Sequence, residues 1–302
     1  MRVAAHLRIP FKEIDLSAAY KAKVFEHSLQ EFTRGHTPNP DTLCNREIKF
    51  GLLYQYAREH GAEYIATGHY AQTKAGELYT SVDLEKDQSY FLWMVPEDHI
   101  AHTFFPVGGM HKHEVRALAK KYGLPNAARQ DSQGLCFLGD LSTRHMLIKE
   151  LAPNPGEVLS EEGRVIGVHE GAILYTLGQR HGFTVVNTPT QEPLYVIAKD
   201  LSKNTITVSI QKFPTQAQGV RLELSATNLI GKVTPGPCMA RYRYRQTRIS
   251  ASILSVEEKV VVELHTAHYV PLGQSLVLYA THTGGIGTRC MGGGVVESAT
   301  LV

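Results

Sequence analysis

The sequence is poor in several things that would each announce a class of protein. It holds four cysteines in 302 residues, too few for the disulfide framework of a small secreted domain. It contains no Cys-x-x-Cys and no His-Glu-x-x-His, so its 15 histidines make no common zinc pattern. A Gly-x-Ser-x-Gly nucleophile turn and a Walker-type phosphate loop are also missing. Apolar runs such as Leu276–Ala280 stop far short of the roughly 18 residues that a membrane helix needs. Residues Met1 to Leu7 lack the long apolar stretch of a secretory signal. No sign of charge dominates: 31 basic against 29 acidic residues give a net charge of +2. Any nucleic-acid surface must therefore be a local patch. No internal repeat, heptad or low-complexity tract is found. What is present is a chain with 43% hydrophobic and 20% charged residues, enough for packed cores in two or three domains. A reducing cytoplasm is the expected compartment, with no membrane partner.

The pattern changes along the chain. Residues 1–145 alternate helical and strand periodicity, the grammar of an α/β domain with a parallel sheet. A helix opens the chain and Pro10 stops it; Phe11–Leu16 reads as a strand. Tyr20, Val24, Leu29 and Phe32 form a helical stripe. A helix runs from Thr42 to His60, Glu63–Ala66 is a short buried strand, and His111–Tyr122 is a helix closed by Gly123. From 146 to 217 a small central domain follows, rich in turns, with strands at Val165–Val168, Leu194–Ala198 and Thr205–Ile210. From 218 to 302 evenly spaced strands predict a β-barrel: Leu222–Leu224, Met239–Tyr244, Ser250–Val256, Lys259–Leu264 and Ser275–Tyr279. A helix that opens a chain before any strand fits two readings, an α/β domain without its first strand or a domain that simply starts with a helix.

Two cysteines adjoin acidic turns. Cys44 follows Pro38-Asn39-Pro40-Asp41, where Asp41 is the expected N-cap. That would put Cys44 in a first turn, where the positive helix end favours a thiolate. A small buried residue is the alternative. Cys136 lies in Asp131-Ser132-Gln133-Gly134-Leu135-Cys136 and reads either as a core residue or as half of a sulfur-handling pair. Cys238, beside Pro237 at a strand start, and Cys290, in a glycine-rich turn, read as structural.

Three further segments have two readings each. Gly68, after the strand at 63–66, is a ligand position at a strand's carboxyl end or an ordinary turn. Lys86–Leu92 is a polar loop over a site or a helix start. In Arg241-Tyr242-Arg243-Tyr244-Arg245 a period of two would gather the arginines on one face. That face suits phosphates and nearby bases, or it is the solvated side of a barrel.

Together these motifs resemble the tRNA-specific 2-thiouridylase family, the bacterial MnmA/TrmU type. The resemblance rests on Asn39 to Asn45 with Ile48-Lys49-Phe50, Ala66 to Tyr70, Lys86 to Tyr90, and Asp131 to Phe137. It continues through His169-x-Gly171, Tyr175-Thr176-x-Gly178-Gln179-Arg180, Arg243 to Gln246, Pro271-x-Gly273-Gln274 and Cys290 to Gly294. The resemblance is collinear over essentially the whole chain. It implies an adenine-nucleotide α-hydrolase-like sheet, a central domain and a barrel. The implied reaction is ATP-dependent sulfur transfer, with Mg2+ accompanying the ATP, to C2 of the wobble uridine of tRNA. By resemblance Cys136 carries a persulfide received from a sulfur-donor protein. Cys44 is the second cysteine and releases product through a transient Cys44–Cys136 disulfide or a related step. Asn39, Pro40 and Asp41 hold the target base, with Asp41 an acid/base. Gly68 touches the nucleotide. His69, Lys86, Asp87, Gln88, Arg243, Tyr244 and Gln274 face tRNA.

One departure is large. The family's Ser-Gly-Gly-x-Asp-Ser pyrophosphate loop has no counterpart in these 302 residues. The expectation is that about sixty family residues are absent ahead of Met1, the size of a strand–loop–helix–strand unit. The alternative function is then a tRNA-binding remnant without catalysis, and a more distant one is an unrelated two-cysteine redox protein.

Overall fold

The computed structural model describes residues 1–129, 143–186, 192–215 and 217–302. The α/β part is built on two long helices. The first spans residues 17–33 and widens to π geometry over Lys21–Glu26. Its buried side chains Tyr20, Val24, Ser28 and Phe32 recur every four residues, so the stripe falls on one face, with Leu29 partly buried beside it. The second spans residues 40–59, with π geometry over Asn45–Leu52. It buries Leu43, Cys44, Ile48, Phe50 and Tyr54. Gly61, at φ +84°, closes it with a left-handed turn.

The parallel sheet is small. β1 (Ile65–Ala66) pairs in parallel with β4 (Thr103–Phe104) and, among the described residues, with no other strand. β1 is shorter and more exposed than the expected buried strand, since Ala66 is open to solvent. Phe11–Leu16, expected as a strand, is irregular. No strand lies beside it among the described residues, and a lone strand leaves its N–H and C=O groups unpaired. Between β1 and β4 lies a hairpin that sequence periodicity does not reveal, β2 (Ala71–Lys74) with β3 (Glu77–Thr80). The helix Lys112–Lys121 forms where expected, capped at His111 with Glu114 reaching back to the cap N–H.

The central unit is a five-stranded sheet of β5 (Gly156–Leu159), β6 (Val165–His169), β7 (Phe183–Val185), β8 (Tyr195–Asp200) and β9 (Thr205–Ser209), ordered β7-β6-β5-β9-β8. Its core of Val158, Val196, Ile206 and Val208 also takes Met146 and Leu147 from the helix Thr143–Leu151 and Phe32 from the helix of residues 17–33. The expected boundary at 145/146 thus falls inside a helix.

The C-terminal strands are β10 (Val220–Leu229), β11 (Gly236–Arg241), β12 (Ile249–Val256), β13 (Val260–Leu264), β14 (Ser275–Gly284) and β15 (Gly287–Leu301). They run β10-β13-β12-β11-β14-β15, and β15 returns to β10, closing a six-stranded barrel. Closure removes free edges and explains the alternating burial of Val220, Leu222 and Leu224. Cys290 lies inside β15 rather than in a turn, and β15 continues past the barrel to pair Arg289 and Cys290 with Tyr79 and Leu78 of β3. The hairpin of the α/β part is therefore an extension of the barrel sheet. Burial pushes the thiols of Cys238 and Cys290 up to about 12, as expected of structural cysteines.

The glycine run of β15 is what lets neighbouring backbones close the barrel. A Cβ on Gly293 would overlap the Leu276 carbonyl oxygen, and one on Gly292, at φ +87°, would overlap that of Asn228. Gly285 in the β14–β15 turn faces open space. Gly293→Ala should lower unfolding free energy by about 1–3 kcal/mol, the range for overpacking, whereas Gly285→Ala should stay within about 0.5 kcal/mol. Urea denaturation of the two variants checks this; equal effects would contradict it.

Candidate functional site

The start of the helix of residues 40–59 is set by Asn39, not Asp41. The Asn39 side-chain oxygen accepts from the N–H groups of Asp41 (3.2 Å) and Thr42 (3.4 Å), and Pro40 takes the first helical position. The expected Asp41 cap is overturned because Pro40 already has helical geometry, which places the cap one residue before it. Cys44 thereby becomes the fifth helical residue, beyond the unpaired N–H groups of the first turn. It is 0% exposed, packed within the core that contains Ile48, Phe50 and Tyr90. Asp41 stays partly exposed at the same helix start. Cys136 lies outside the described residues, and so does any pairing of its sulfur with that of Cys44.

The segment 86–91 is held from three sides. Gln88 accepts from the Tyr70 N–H (2.9 Å), while its own N–H donates to the Tyr70 carbonyl (2.7 Å). The Phe91 carbonyl accepts from Asn45, the residue after Cys44, at 2.8 Å. Asp87 is 1% exposed. Its carboxylate accepts from the N–H groups of Ser81 and Ser89 (3.2 Å each), the Ser89 hydroxyl (2.9 Å) and the Arg241 guanidinium (2.6 Å). Arg241 also donates to the Tyr279 hydroxyl at 2.7 Å and lies over that ring. Asp87, expected to face tRNA, is thus turned inward as the anchor of its segment. Lys86 and Gln88 are partly exposed on either side of it.

Gly68 sits two residues past β1 with open space at its α-carbon, a place where a ligand's backbone-close approach meets no side chain. His69 beside it is 8% exposed. Burial, with the charge of Lys49 adding, drives its pKa down to about 3. It is therefore a neutral imidazole at pH 7, hydrogen bonded through Nδ1 to the Thr67 hydroxyl at 2.9 Å. It offers hydrogen bonding, not charge.

The predicted arginine stripe does not form. β11 ends at Arg241, and residues 242–248 turn out of the sheet, with Arg245 at φ +61°. Alternation needs a continuous strand, so Arg241 and Tyr242 are both buried and the others diverge. Arg243 donates to the Leu177 carbonyl of the central unit. The Tyr244 ring lies 4.5 Å from that of Phe91, which brings it to the segment beside Cys44. Gln274 is partly exposed in the turn before β14, and the neighbouring Leu272 carbonyl accepts from the Thr37 N–H at 2.8 Å. A Cβ on Gly273, at φ +81°, would lie 2.6 Å from His36 Cβ. The turn thus closes directly on the stretch of chain leading to Asn39. The fold gathers Asn39, Pro40, Asp41, Gln88, Tyr244 and Gln274 near the helix that carries Cys44. Gly68 and His69 lie next to Tyr70 on one flank.

Comparisons with known proteins extend this arrangement. Three family models match in order: the "tRNA methyl transferase HUP domain" over residues 1–140, the "tRNA methyl transferase PRC-barrel domain" over 144–210 and the "Aminomethyltransferase beta-barrel domain" over 221–296. A protein of Enterococcus faecalis named tRNA-specific 2-thiouridylase MnmA is 38% identical over 99% of this chain and 81% of its own. A Coxiella burnetii protein of the same name is 39% identical over 98% of this chain and 83% of its own. The chain belongs to the tRNA-specific 2-thiouridylase family. The three matched domains correspond to the α/β part, the five-stranded sheet and the closed barrel described above. Sequence motifs of the family do not single out Arg241 or Tyr279, or show that Asn45 ties its helix to Phe91. Arg241 and Asp87 are 154 residues apart, so no local periodicity could pair them.

Asp87→Asn leaves Arg241 buried without a counter-charge and should cost about 3–5 kcal/mol. Arg241→Met should cost a similar amount, and the double variant less than the sum of the two; additive losses in urea denaturation would refute the coupling. Unfolded histidine takes up a proton near pH 6.5, whereas folded His69 resists until about pH 3. Stability from this group is complete above pH 6.5 and falls as pH drops, by up to about 1.4 kcal/mol per pH unit. Burial lowers the pKa of His169 and His268 in the same direction. His69→Phe should flatten the decline between pH 7 and pH 5, measured by denaturation at each pH.

Proposed function

We propose that the chain performs the tRNA-recognition and sulfur-relay part of 2-thiouridine formation at the wobble position of tRNA, in the cytoplasm. The carrying observation is collinear identity across 99% of the chain with proteins bearing the 2-thiouridylase name. The site's layout supports it. Asn39, Pro40 and Asp41 stand at a capped helix start, partly exposed, with the Tyr244 ring nearby, tilted against that of Phe91. This offers a flipped pyrimidine both hydrogen-bonding groups and an aromatic face. Asp41 is the acid/base at that position.

In this reading a donor protein loads Cys136 as a persulfide, whose outer sulfur forms the new bond to C2 as the C2 oxygen leaves. The Cys44 thiolate then attacks the Cys136 sulfur of the resulting disulfide link. The sulfur–sulfur bond breaks, thiouridine departs, and a Cys44–Cys136 disulfide forms that an external thiol reduces. Cys44 is buried at 0% exposure, so its attack requires the contacts around Asn45 and Phe91 to open. ATP with Mg2+ supplies activation of the C2 oxygen in the proposed reaction. The described residues give a nucleotide the open edge at Gly68 but no glycine-rich strand-to-helix turn, so they do not fit its pyrophosphate.

That same observation favours a second reading, in which the 302 residues alone bind tRNA without thiolating it. Nucleoside mass spectrometry separates the cases. In cells that depend on this gene, Cys44→Ser or Cys136→Ser should each abolish 2-thiouridine, a fall of at least about 100-fold; retained modification would overturn the relay. For the purified chain supplied with ATP, a sulfur donor and tRNA, any 2-thiouridine formed would remove the second reading.

A further inference from the structure

Cys44 and Asn45 follow Asp41 by three and four residues on the helix of residues 40–59. In helical geometry those three side chains share one face. The backbone at Asn45 keeps that geometry, at φ −62° and ψ −51°. Asp41 stands partly exposed at the outer end of the face. Asn45 lies one turn deeper and is 2% exposed. Phe91 ties this face to the barrel: its carbonyl accepts from Asn45 at 2.8 Å, and its ring meets that of Tyr244 at 4.5 Å. Asn45 therefore sits between the base-holding residues of the helix and the tyrosine offered to the base.

The amide of Asn45 is only half used. Its Nδ2 donates to the Phe91 carbonyl. Its Oδ1 is buried and has no hydrogen-bond partner among the described residues. A buried acceptor without a donor is costly, and native structures keep few of them. Turning the amide over would not relieve it, because Oδ1 would then face the Phe91 carbonyl and two acceptors would meet. Phe91 thus locks the amide in one orientation, which leaves an acceptor for some other donor on the face that carries Asp41 and Cys44.

We propose that Asn45 selects uridine at this site, its Oδ1 accepting the N3–H of the flipped base. The proposal rests on the tRNA reading above and deepens it by naming the residue that tells uridine from cytidine. In uridine N3 carries a hydrogen and is bonded to C2, the atom that takes the sulfur. A group that reads N3–H therefore belongs beside a cysteine that acts at C2, and Asn45 is the next residue after Cys44. In cytidine N3 is a bare acceptor, so it would meet Oδ1 as like against like. The amide cannot turn to suit it while the Phe91 carbonyl holds Nδ2. The surrounding side chains part to admit the base, and the Asn45–Phe91 bond stays. A buried site built to accept a hydrogen bond rejects the analogue that lacks the donor far better than an apolar pocket would.

The test is fluorescence anisotropy of anticodon stem-loops that differ only in the wobble nucleotide: uridine, cytidine or 3-methyluridine, which keeps both carbonyls and loses the N3 hydrogen. Each is titrated with the full chain at one fixed salt concentration. The unaltered chain should prefer the uridine stem-loop over the other two by about tenfold or more. Asn45→Leu, of similar size and without an acceptor, should bring the uridine-to-cytidine ratio close to one. Asn45→Ala should do the same and serves if the leucine variant does not fold. A purely structural role for Asn45 would weaken all three stem-loops by one factor and keep the ratio, a result that overturns the proposal. Equal binding of the three by the unaltered chain also overturns it and leaves the tRNA reading intact. If the unaltered chain binds none of them, the tRNA reading itself falls, and the assignment of Asn45 falls with it.

Discussion

The arrangement of this molecule depends on one buried ion pair. Asp87 and Arg241, 1% and 6% exposed at their side chains, join a loop of the α/β part to the last residue of a barrel strand. Two opposite charges removed from water are tolerable only when every remaining hydrogen-bonding group finds a partner. Here Ser81, Ser89 and Tyr279 supply those partners. The pair thereby decides where segment 86–91 lies, and through Phe91 and Asn45 it decides what stands beside Cys44. It also decides which arginines remain available to a ligand.

Domain labels understate this coupling. The β2–β3 hairpin belongs in sequence to the α/β part and in hydrogen bonding to the barrel sheet, through β15. The helix of residues 17–33 contributes Phe32 to the central core, and Arg243 reaches Leu177. Thr37 is bonded to the turn before Gln274. The candidate site lies where these contacts meet, so its geometry is a property of all three units. A relative shift of any one would separate the base-holding residues from the barrel residues that face them.

Burial also changes what individual site residues can do. A histidine and a cysteine in a motif are read as chemically active groups. In the fold His69 is a neutral imidazole and Cys44 is sealed in a core. Each is thereby converted from a surface reagent into a group whose reactivity depends on local opening. The buried state protects a nucleophilic sulfur from adventitious oxidation, which fits a residue needed only at one stage of a reaction.

Much of the architecture is legible in the order of residues. Alternating periodicities mark the α/β part, the central sheet and the barrel, because amphipathic spacing is local and records which face is buried. The motifs around Cys44, Gly68, Lys86 and Arg243 point to the family and name most of the candidate site. Local rules fail where a distant partner intervenes. Phe11–Leu16 has strand periodicity but no neighbouring strand among the described residues, and β15 hides its pairing behind glycines that let other backbones approach. Asp41 has the right chemistry for a cap, yet Pro40 moves the cap to Asn39. Sequence alone determined the identity and order of the reactive groups, since these are covalent facts. Tertiary structure decided which are exposed, which are neutral and which arginines are already paired, since burial and ion pairing arise between residues far apart along the chain.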